Sequence, residues 1–200
     1  MIVKRDKLLL IGCGILKKEI LLLIEKNLWP LDTLFLDSSL HINYSELEKG
    51  LTGALARTSG RNVIVFYGAC HPLMDRMLDK AKTFRTEGQN CIDMLLGNER
   101  FTEELLNGAY FLFEDWVKRW EYITAKTFGT NRQDIVQDIF QKDRKYLLGI
   151  KTPCSGDFRA EAIDAAKTVG LPLRWMDVSL EHLESVIEKA ITKKIKICQI

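Results

Sequence analysis

The chain has 200 residues, of which 46% are hydrophobic and 28% charged, and a formal net charge of +2. This is ordinary globular usage, and the length suffices to bury a core without staples. The near-neutral balance gives no electrostatic case for a nucleic acid or an anionic membrane surface, and no apolar run approaches the roughly 20 residues of a bilayer span.

Two periodicities alternate along the chain. Leu8 to Ile11 is a short apolar run that ends in Gly12-Cys13-Gly14, and helical spacing follows from Ile15 to Asn27. Thr33 to Leu36 is the next strand, and Tyr44 to Arg57 the next helix. Asn62 to Tyr67 is the clearest strand, and its unbroken apolar run predicts burial on both faces. Gly68-Ala69-Cys70-His71-Pro72 forms the turn, with Pro72 suited to a helix start before Leu73 to Ala81.

The middle is less regular. Thr83 to Arg85 reads as a short strand. Asn90 caps a helix over Cys91 to Leu96, stopped by Gly97. Helical turns are expected over Phe101 to Leu106, Asp115 to Thr127 and Asn131 to Lys142, with an aromatic strand at Ala109 to Phe113. Strand, turn and helix then recur at Tyr146 to Ile150, Thr152 to Asp157 and Phe158 to Val169. Leu173 to Val178 is a strand, Leu180 to Ala190 a helix, and Ile195 to Ile200 a final strand that contains Cys198.

This order predicts an α/β protein with a mostly parallel, Rossmann-like sheet of repeated strand–turn–helix units. The reading is one α/β domain over residues 1–200, with two small lobes as the variant and a candidate boundary at Gly129-Thr130-Asn131. The basic start, Met1 to Lys7, is followed by Gly12, Gly14, Lys17 and Lys18 instead of an apolar stretch, so no signal peptide is expected. The expected compartment is the cytoplasm, where five cysteines stay as thiols or ligands.

In open parallel sheets, ligands bind beyond the carboxyl ends of the strands. Cys13, Cys70 and Cys154 each follow a strand there, and Cys91 opens a helix. One such cysteine is an ordinary small hydrophobe; several on turns with flanking glycines suggest a shared site. Thiolates select zinc, copper(I) or iron–sulfur clusters. With no CxxC pair, any centre is built from distant loops. Cys13, Cys70 and Cys91 are the candidate ligands, with Cys154 or His71 fourth, or an open position. His71 also suits a plain turn residue before Pro72. Without metal, Cys91 at a helix N-terminus is expected to have a lowered pKa and to serve as a nucleophile. In a third reading the cysteines are only packed and the protein is a binding module. Gly12-Cys13-Gly14 with Asp37 suggests a dinucleotide fingerprint, but Lys17 stands where its third glycine belongs. The aromatic cluster of Tyr110, Phe111, Phe113, Trp116 and Trp120 reads mainly as core, with Trp116 the one candidate to wall a cleft.

The sequence resembles a family on several motifs: Ile11-Gly12-Cys13-Gly14-Ile15-Leu16 with Glu19-Ile20, Leu36-Asp37 with His41, Tyr67-Gly68-Ala69-Cys70, Asn90-Cys91-Ile92, and Gly108 to Leu112 with Trp116. Their order and spacing are similar to those of a bacterial and archaeal family, domain of unknown function 1638. The resemblance implies that Cys13, Cys70 and Cys91 belong to its pattern. In this chain Gln89 and Asn90 stand where the family often has His and Asp, and His71 replaces a usual glycine. The resemblance also implies association with corrinoid and methyltransferase proteins in anaerobic one-carbon metabolism. The combined expectation is an iron–sulfur centre, with zinc or no metal as the alternatives. Arg85, Trp116, Asp37 and His41 are expected to line its cleft.

Overall fold

The computed structural model describes residues 7–198. Met1 to Asp6 and the last two positions of the expected final strand lie outside the described residues. The chain forms two compact units. The first holds the residues up to Leu95 and those from Glu181 on; the second is Leu96–Leu180. The residues 129–131 lie within the second.

In the first unit the elements are β1 (Leu8–Cys13), α1 (Lys17–Lys26), β2 (Leu31–Leu36), α2 (Tyr44–Arg57), β3 (Val63–Phe66), α3 (Met74–Lys80) and α4 (Cys91–Leu96), the last ending at the unit boundary. Its sheet is parallel with order β2-β1-β3. All residues of β1 and β3 are buried, as unbroken apolar runs require when both faces are covered. The outer edge of β3 is closed by residues 84–86. Val65 N–H donates to Phe84 O at 3.1 Å, and Thr86 N–H donates to Val65 O at 2.8 Å. The expected strand at Thr83 to Arg85 is therefore a single parallel bridge, Val65 with Arg85.

The last helix returns to this unit. It runs over Glu181–Cys198 without interruption, which replaces the expected short helix and final strand. Alternation of Ile195 and Ile197 with lysines looks like a strand of period two. The buried positions Leu183, Val186, Ile187, Ala190, Ile191 and Lys194 instead carry one helical face along the element. Ile195 and Ile197 are exposed. Cys198 is thus an exposed helix-end residue whose thiol donates to Asn62 Oδ1 at 3.1 Å. Lys193 places its amine 4.6 Å from the Phe84 ring centre.

In the second unit, α5 (Asn98–Leu106), β4 (Ala109–Leu112), α6 (Glu114–Val117), α7 (Trp120–Phe128), α8 (Gln133–Asp143), β5 (Tyr146–Lys151), α9 (Arg159–Val169) and β6 (Leu173–Asp177) follow in order, so the C-terminal helix is α10. The sheet is parallel with order β4-β5-β6. Its core includes Leu112, Trp120, Phe140, Leu147 and Phe158, with Tyr110 packed edge-on to Phe140. Gly149 leaves room for Trp175: a Cβ there would stand 2.5 Å from the indole. The single helix expected over Asp115 to Thr127 is two helices. Arg119 leaves helical angles at φ −120° and ψ 28°, and neither proline nor glycine marks that break. Gly170 ends α9 in the left-handed region at φ 64°, the usual role of a glycine just past a helix end.

Together these features make the protein an α/β, Rossmann-like chain with parallel sheets. No helix among the described residues is long and apolar enough to cross a membrane.

Candidate thiol site at the carboxyl edge of the first sheet

Cys13 is the last residue of β1, buried and paired in register with Leu36. The chain turns at once, and Gly14 permits this because a Cβ would meet Leu36 O at 2.9 Å. Cys70 lies in the loop after β3. Parallel strands end on the same edge, so both cysteines occupy the rim where such sheets hold ligands.

Cys91 reaches that rim through a close backbone approach. Ala69 N–H donates to Gln89 O at 2.8 Å. Gly68 makes the contact possible, since a Cβ there would stand 2.2 Å from the same oxygen and 2.6 Å from Asn90 Cα. Asn90 then caps α4: its Oδ1 accepts from the N–H groups of Ile92 at 2.9 Å and Asp93 at 3.0 Å. Asp93 returns the support by accepting from Gln89 N–H at 2.6 Å. This is a capping box shifted by one residue, and it fixes Cys91 at the first helical position.

The three thiols share Tyr67 as an electrostatic neighbour. Cys13, Cys70 and Cys91 all lie close enough to act electrostatically on its hydroxyl, as does Asp37. Tyr67 is 2% exposed, and its hydroxyl has no hydrogen-bond partner among the described residues. Burial first, then the neighbouring thiols, pushes the phenol far above its ordinary range, so it stays protonated. The sequence reading passed over Tyr67 as a site residue. The available signal was its place as the one hydroxyl at the end of the apolar run before Gly68-Ala69-Cys70.

The expectation of an acidic Cys91 is overturned. Part of its surface remains exposed, but enough protein surrounds the sulfur that burial pushes the thiol well up, and Cys13 and Cys70 push it further. The N–H groups of Cys91 and Ile92 act in the opposite sense and do not win. Desolvation outweighs the helix end here because α4 is short and the field of a few amides falls off quickly. Cys70 is also pushed up by burial, with Gly68 N–H and the Arg85 guanidinium opposing.

Arg85 organises the surrounding loop. Its Nε donates to Asp75 Oδ1 at 2.8 Å, and Nη1 donates to the carbonyls of Gly88 at 3.1 Å and Thr86 at 3.3 Å. With Asp75, Thr86 and Lys193 it lines a cavity of about 410 Å³. His71 is buried, its Nδ1 accepting from Leu73 N–H at 3.0 Å and its ring set edge-on to Tyr44. That nitrogen organises the turn into α3, which leaves Nε2 as the ring's other polar atom. Asp37 is exposed and caps the turn after β2, accepting from Ser39 N–H at 2.8 Å and Ser39 Oγ at 2.6 Å. His41 lies in the 3-10 helix that this cap begins.

Two further expected site residues belong to the second unit. Cys154 lies in the turn after β5, its N–H donating to Thr152 Oγ1 at 3.2 Å. Trp116 is half-buried on α6. None of the five cysteines forms a disulfide. Among the described residues, no group of three or more His, Cys, Asp or Glu side chains has the arrangement of a single bound metal ion.

The fold and this edge define a class: a Rossmann-like α/β protein that gathers thiols beyond the carboxyl ends of a parallel sheet. Residues 35–187 match the family described as Protein of unknown function (DUF1638), and the chain belongs to that family. No curated protein and no solved structure matches it.

Proposed function

We propose that the first unit carries an iron–sulfur centre ligated by Cys13, Cys70 and Cys91. The observation that supports this reading is that three thiols, at a strand end, in a loop and at a helix start, act electrostatically on one buried hydroxyl. Sulfur donors suit soft metals and clusters. Iron–sulfur clusters are held by cysteine thiolates, the donor type these three residues would supply. Bound there, such a centre would supply electron transfer, or Lewis acidity at an iron without a protein thiolate. The chain's own part is to exclude water and to release the thiol protons on loading.

A metal-free nucleophilic thiolate is the weaker reading, because burial keeps Cys70 and Cys91 protonated at neutral pH. A reducing cytoplasm, where cysteines stay as thiols, is the compartment that fits this reading. A place in corrinoid-linked one-carbon metabolism rests on the family resemblance alone.

The test is anaerobic purification from iron-replete cells. Brown protein with iron and acid-labile sulfide, both lost when Cys13, Cys70 and Cys91 are changed together to Ser, is the expected result. Colourless, metal-free protein from such cells would overturn the proposal.

A further inference from the structure

We draw no further inference here: the strongest candidate, the cavity of about 1000 Å³ that α7 and α9 line in the second unit, rests on a cluster of exposed carboxylates, Glu121, Glu161 and Asp164, and nothing in the structure shows what would fill it, the unpartnered indole N–H of Trp120 being itself enclosed in the core.

Discussion

Gly68 and Gln89 hold the thiol site together: the Gly68 Cα lies so close to the Gln89 carbonyl that a Cβ would stand 2.2 Å from its oxygen. The next residue, Ala69, donates its N–H to that same oxygen. Through this contact the loop that carries Cys70 meets the helix start that carries Cys91. Gly68→Ala must push backbone away from backbone, which no rotamer change relieves. We expect a loss of about 3 kcal/mol, the upper end of overpacking, measured by urea unfolding. The same variant should open the loop contact and speed alkylation of Cys70 and Cys91.

Asn90 supplies a second, separable support. Asn90→Ala removes the acceptor for the N–H groups of Ile92 and Asp93. A loss of about 1 kcal/mol is expected. Asn90→Asp keeps the cap and should unfold near the wild-type midpoint. Equal losses in both variants would show that the cap contributes nothing.

Thiol ionisation gives a pH dependence whose sign is fixed. Cys70 and Cys91 have raised pKa values in the folded state, while unfolded cysteine titrates near ~8.5. The unfolded chain therefore sheds these protons first as pH rises. Stability of the metal-free protein is complete below that value and falls above it, by at most about 1.4 kcal/mol per pH unit for each thiol. Tyr110, pushed up to about 12 by burial, adds to the loss between its ordinary range near ~10 and that value. Urea midpoints measured from pH 7 upward test this; a flat profile, or one that rises, would refute it. Iodoacetamide should correspondingly modify Cys91 slowly at pH 7.

The second unit has a core that can be probed without touching the thiols. Phe140 is buried and packs against Tyr110, Trp120 and Phe128. Phe140→Ala should destabilise by about 3–5 kcal/mol, read from thermal or urea unfolding. A loss under about 1 kcal/mol would mean that this aromatic cluster relaxes freely.

Much of the fold is legible in the residues because local signals agree with the packing. Tyr44–Arg57 forms the expected helix, with Leu47, Leu51 and Leu55 buried on one face and Asn43 as its cap. The apolar run at Val63–Phe66 is a strand buried on both faces. The failures lie where local pattern and tertiary demand part. Ile195 and Ile197 alternate with lysines, yet the buried face that begins at Leu183 carries the helix through them. At Cys91 the helix-terminus rule pointed to an acidic thiol, and burial reversed it.

By itself the sequence determined that strands and helices alternate, that the sheets are parallel, and that Cys13 and Cys70 follow strands while Cys91 opens a helix. These depend on periodicity and turn chemistry within a few neighbouring residues. Only the tertiary structure decided that those thiols act electrostatically on a buried Tyr67, that its hydroxyl has no partner among the described residues, and that burial pushes Cys70 and Cys91 up. Each of these depends on desolvation and close approach by segments distant in the chain, above all the contact of Gly68 with Gln89.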